Sequence, residues 1–134
     1  MDGIKGLEKV DPEKLRAQYA LTEALWAKLV EHGVRDRATA GRIDCFFLAD
    51  DADHAGELIQ LFDWAHEVTT PEGATDQRQV RIVTSEATLS LEALRDLVEV
   101  MMVAAVESGC TFDGFGVDEA SLRSLRKRPW WRLW

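Results

Sequence analysis

Residues 42–49 read RIDCFFLA, and in an extended chain Ile43, Cys45 and Phe47 fall on one side while Phe46 and Leu48 fall on the other. A strand that is apolar on both faces does not suit a solvated edge and belongs near the middle of a sheet. The rest of the chain must supply its neighbours. The next residues, DDADHAGELIQLFDWAHE at 50–67, change period at once. Asp50 or Asp51 is placed to cap a helix, and Ala55, Leu58, Ile59 and Phe62 give it an apolar stripe.

Two further runs alternate as strands do. HEVTTPEGATDQ at 66–77 predicts a short strand ended by Pro71 and Gly73, because proline cannot donate into a ladder. QVRIVTSEATL at 79–89 predicts a longer one, with Val80, Ile82 and Thr84 facing away from Arg81 and Val83. Together they read as an antiparallel hairpin. Ser90 then caps a helix with Leu89 and Leu94 as its staple, and Leu91, Leu94, Leu97 or Val98, Met101 and Ala105 form its long apolar face, ended by Gly109. CTFDGFGVD at 110–118 is the final strand. Ahead of all this, VDPEKL at 10–15 starts a helix with Asp11 as N-cap and Pro12 at N1, stapled by Val10 and Leu15. Leu15, Tyr19, Trp26, Leu29 and Val30 continue it to a left-handed cap at Gly33. The first ten residues are expected to fray, and VRDRATAG at 34–41 reads as a polar connection.

The order is helix, strand, helix, strand, strand, helix, strand. Without its leading helix it matches a βαββαβ ferredoxin-like α+β sandwich, a four-stranded antiparallel sheet with both crossover helices on one face. At 134 residues the chain is sized for one domain. We expect that domain over 1–122, with the N-terminal helix about 11–33 and the core about 42–118, and a basic Trp-rich tail over 123–134.

Charge is divided unevenly along the chain. Residues 1–122 carry 11 basic and 24 acidic side chains, whereas 123–134 carry five basic and none acidic. An acidic body repels nucleic acid, so direct RNA contact is expected through the tail only, and a protein partner suits the body better. No apolar run approaches the roughly 20 residues of a membrane span, and no secretory signal opens the sequence, which predicts a cytoplasmic protein. Cys45 and Cys110 then read as buried thiols in strands rather than a disulfide. Asp44, Asp50, Asp51 and Asp53 lack the glycine and distal glutamate of a calcium loop, and caps explain aspartates at a helix start. His32, His54 and His66 have no close i, i+4 partner and read as surface residues. No metal, no cofactor and no catalytic residue is expected.

Gly114 and Gly116 follow a helix instead of preceding one, the reverse of a phosphate-cradling loop. Within a strand they predict a bulge or a close approach by another backbone or ring, with Phe112 and Phe115 on opposite faces. Asp113 is expected to hydrogen-bond locally near Gly114. Residues 108–116, SGCTFDGFG, resemble the GGxYDGWG ending of the bacterial ribonuclease E inhibitor B family, also called regulator of ribonuclease activity B. The stretch LTEALWAKLVEHGVRDRATAGRIDCFFLADDADHAGELIQLF also looks like that family's helix, glycine stop, connection, first strand and acidic-capped helix, so the resemblance runs from about Ala20 to Val117. Phe112 stands where the family has tyrosine, Phe115 where it has tryptophan and Cys110 where it has a second glycine. The resemblance implies a ferredoxin-like fold and a non-catalytic protein that binds ribonuclease E or its scaffold region and lowers or redirects RNA cleavage. It makes Phe112, Asp113, Gly114, Phe115 and Gly116 the motif to locate.

The tail offers a second reading. Arg126 and Arg128, with Trp130, Trp131 and Trp134, combine phosphate-binding cations with indole stacking platforms, which suits RNA or an anionic surface. The same residues suit docking on the acidic body or on a second copy, and an open sheet allows a homodimer. Met101 and Met102 offer either core or an adaptable binding surface.

Overall fold

The computed structural model describes residues 6–62, 67–69 and 78–124. Its elements are a 3₁₀ turn (Leu7–Lys9), α1 (Pro12–Glu31), β1 (Thr39–Gly41), β2 (Ile43–Ala49), α2 (Ala52–Gln60), β3 (Glu67–Thr69), β4 (Arg78–Val83), β5 (Ala87–Thr88), α3 (Leu91–Ser108), β6 (Thr111–Val117), a second 3₁₀ turn (Glu119–Ser121) and β7 (Arg123–Ser124). The described chain is α+β, with three α-helices and antiparallel sheets.

Each helix starts where a side-chain oxygen takes up an orphan N–H. Asp11 accepts from Glu13 N at 3.0 Å with Pro12 at N1, Asp51 accepts from His54 N at 2.8 Å, and Ser90 accepts from Ala93 N at 3.0 Å. α3 stops at Gly109, whose φ of 73° is left-handed and open to glycine without strain.

β2 lies between β4 and β6, and β3 flanks β4, giving the order β3-β4-β2-β6 with antiparallel pairing throughout. Burial along β2 alternates, and Cys45 and Phe47 are fully enclosed. Directly opposite them on β4, Ile82 and Val80 are equally enclosed, and the same core takes in Leu58 of α2 with Leu94, Val98 and Met101 of α3. Each such side chain contributes about 1.5–3 kcal/mol on burial, so this face carries most of the fold's stability. α1 packs against α3, and its Leu29, Leu25 and Trp26 join the common core.

A second, smaller sheet has the order β5-β1-β7. Arg42 alone separates β1 from β2, and its neighbours are pinned: Arg42 N donates to Ser121 Oγ at 2.7 Å, and Ile43 N donates to Thr84 Oγ1 at 3.0 Å. Gly41 has a packing reason to be glycine, since a Cβ there would lie 2.8 Å from Leu122 Cδ2 and 3.3 Å from Ser121 Oγ.

Several expectations are corrected here. Residues 34–41 are more than a connection, because Thr39–Gly41 pair on both sides as β1. The run 79–89 is not one strand: Thr84 turns its hydroxyl and N–H to Ile43, breaking the ladder after Val83, and Ala87–Thr88 join the other sheet. Leu7–Lys9 form a turn and Val10 is buried, so residues 7–10 are held in place rather than frayed. The predicted tail begins as a strand, with Arg123 opposite Ala40. Pro71, Gly73 and His66 lie outside the described residues.

Candidate interaction surfaces

The motif strand, β6, pairs with β2 through a register shift. Gly114 is opposite Phe46, but the next pair is Phe112 with Phe47, which leaves Asp113 as the extra residue of a bulge. Gly114 takes φ 108° at this point, a conformation that side-chain-bearing residues rarely adopt. The bulge changes which side the aromatics face. In a regular strand residues three apart point to opposite faces, but with one residue looped out Phe112 falls beside Phe47 and Phe115 beside Cys45, both on the enclosed face. The expectation of opposite faces is therefore overturned. Phe112 is buried with its ring centroid 5.2 Å from that of Phe47, and Phe115 packs against the same core.

The opposite face of the sheet is different. Phe46 and Leu48 of β2, Arg81 of β4 and Gly114 and Gly116 of β6 share it. Among the described residues, nothing lies within 4 Å of the Cβ position of either glycine. The anticipated close approach at the glycines is thus absent among the described residues, and Phe46 stands half-buried above a floor of bare backbone. Arg81 reaches diagonally to Asp44, Nη2 to Oδ1 at 3.0 Å, an ion pair partly shielded from water.

A second surface lies between α1 and α3. Tyr19 donates its hydroxyl to Glu99, and the Arg95 guanidinium carbon sits 4.5 Å from the centre of the Tyr19 ring. Burial, then the hydrogen bond and charge of Glu99, push the Tyr19 hydroxyl up to about 12. It is a neutral donor at physiological pH, not a base. Beyond it a cavity of ≈ 480 Å³ is bounded by Trp26, Asp36, Arg37, Glu92 and Asp96. On the other side of Trp26 and Asp36 it meets a second hollow beside Val30 and Ala38. The result is a trough with an apolar wall on α1 and an acidic wall on α3. Sequence periodicity alone could not find it, although Arg95 and Glu99 at i, i+4 were the available signal.

The remaining predicted groups that lie among the described residues have separate local settings. Cys110 precedes β6 rather than lying in it; Sγ sits 3.5 Å from the His54 carbonyl, not its imidazole, and burial raises its pKa. Burial and neighbouring Asp44 push the Cys45 thiol up to about 12. Neither thiol is poised as a thiolate nucleophile. Asp51 caps α2 and Asp44 pairs with Arg81, and no cluster of three or more metal-ligating side chains occurs among the described residues. Met101 and Met102 are both core. Arg126, Arg128, Trp130, Trp131 and Trp134 lie outside the described residues. No helix among the described residues is long and apolar enough to cross a membrane. No protein-family model and no curated protein matches the chain.

Proposed function

We propose that this chain is a non-catalytic, protein-binding regulator with a ferredoxin-like sandwich, acting on ribonuclease E-dependent RNA cleavage in the cytoplasm. The strand order β3-β4-β2-β6, with α2 and α3 as the two crossovers, supports the fold. The resemblance of SGCTFDGFG to the inhibitor family's ending supports the partner. The observation that carries the reading is the outer sheet face, where Phe46 stays half-buried beside Gly114 and Gly116, whose Cβ positions meet nothing within 4 Å among the described residues. A half-buried aromatic flanked by glycines on one side gives a partner an apolar anchor, as interface hot spots require.

Phe112 and Phe115 face the core, so the tyrosine-to-phenylalanine and tryptophan-to-phenylalanine departures from the family pattern alter packing beneath this face and not its contact surface. The test is binding of purified protein to purified ribonuclease E, with cleavage of a defined RNA followed in parallel. We expect binding and slowed or redirected cleavage, both lost in Phe46→Asp while the circular dichroism spectrum is retained. No binding and unchanged cleavage sinks the reading. Binding that needs RNA and the segment 123–134 favours instead the RNA- or anionic-surface binder.

A further inference from the structure

We propose that the chain's own segment 125–134 docks in the trough between α1 and α3. The segment, LRKRPWWRLW, lies outside the described residues. What precedes it is fixed: Ser124 of β7 is opposite Thr39 of β1, and Arg123 is opposite Ala40. Because the pairing is antiparallel, moving forward from Ser124 means moving backward from Thr39, toward Ala38, Arg37 and Asp36. Ala38 and Asp36 line the trough. The chain is therefore delivered to its mouth by backbone pairing already in place.

The trough and the segment are complementary in two independent respects. Trp26 is half-buried and Val30 is 49% exposed, an apolar wall without a cover among the described residues. Asp36, Glu92, Asp96 and Glu99 face it, against the cations Arg35, Arg37 and Arg95. The segment brings Arg126, Lys127, Arg128 and Arg132 with three tryptophans and no acid. Indoles suit the apolar wall and cations the acidic one. The internal competitor is weak: Arg37 meets Glu92 at 3.4 Å with both side chains over 70% exposed, the kind of pair that contributes little. Ten extended residues reach about 33 Å, while α3 rises only about 10 Å from Glu92 to Glu99, so length is sufficient.

A docked segment keeps its arginines and tryptophans from anionic surfaces, and a competing ligand must displace it. Such docking does not depend on which partner the sheet face binds.

Carbodiimide coupling, which joins a lysine to a carboxylate with no spacer, tests it on the full chain, since Lys127 is the one lysine of the segment. Mass spectrometry is expected to find Lys127 joined to Asp36, Glu92 or Asp96. Yield should fall about threefold or more between low and 0.5 M salt, as charge pairing at an exposed site is screened. The double variant Glu92→Gln, Asp96→Asn should lose most of that coupling, with links from Lys14 and Lys28 unchanged. Mixing ordinary and nitrogen-15 protein separates the sources. Links within one mass class support docking in the same chain; hybrid links assign the trough to a second copy and overturn it. Absence of Lys127 links to these carboxylates, while Lys14 and Lys28 still couple, overturns it outright.

Discussion

The two faces of β2 both carry a phenylalanine and an aliphatic residue, yet they meet opposite surroundings in space. Ile43, Cys45 and Phe47 point into a core sealed by α2 and α3, with Cys45 and Phe47 at 0% exposure. Phe46 and Leu48, one residue along, stay half-exposed beside two glycines and a charged pair. Phenylalanine and aliphatic side chains are thus used on both faces, once for cohesion and once to leave a surface that another molecule can cover. Stability and binding should then separate by face.

The largest effect tests that separation. Phe47 meets Phe62 and Phe112 at ring-centroid distances of 6.0 and 5.2 Å, so Phe47→Ala opens a cavity in the sealed core. We expect a loss of about 3–5 kcal/mol, measured by urea unfolding. Phe46→Ala removes a ring that water already reaches and should lose about 1 kcal/mol or less. Similar losses from both substitutions would mean that the outer face is sealed too.

Glycines extend the contrast with a smaller effect. At Gly41 a Cβ would press on Leu122 and on the Ser121 hydroxyl that accepts from Arg42 N. Leu122 can give way at its tip, so Gly41→Ala should cost about 1–2 kcal/mol, read as a lower urea midpoint. Gly116 has ordinary φ and open space above it, and Gly116→Ala should change stability by about 0.5 kcal/mol or less while obstructing a partner on that face. Reduced ribonuclease E binding with an unchanged urea midpoint is the expected outcome. An unchanged affinity places the interface elsewhere.

What was legible in the sequence follows the same division. β2, α2 and α3 were readable because their apolar residues repeat over enough positions to define a period, and Asp11, Ser90 and Gly109 mark helix ends by local chemistry alone. β1, β5 and β7 have two or three residues each, shorter than any usable period, and they exist because distant segments meet. The bulge was half readable: Gly114 and Gly116 signal one, but not that Asp113 is the residue displaced, and on that single count rests the face taken by Phe112. The trough was hidden because it depends on how α1 lies on α3. Apolar residues on one helix and carboxylates on another say nothing until the helices are packed.

The smallest effect concerns the polar contact at that packing. Tyr19 binds Glu99 and carries Arg95 on its ring, so Tyr19→Phe should lose about 1 kcal/mol at pH 7. The pH dependence distinguishes this contact from apolar burial. An unfolded tyrosine ionises near 10 and the folded one near 12, so the folded state holds the proton more tightly. The resulting stabilisation is complete below pH 10 and is lost as pH rises through 12. Wild-type stability should therefore fall more steeply than that of Tyr19→Phe between pH 10 and 12, narrowing the gap seen at pH 7, as urea midpoints across that range would record. Parallel curves would mean that Tyr19 ionises no later in the folded chain than in the unfolded one, and that the α1–α3 contact rests on its apolar atoms, as the inner face of β2 does.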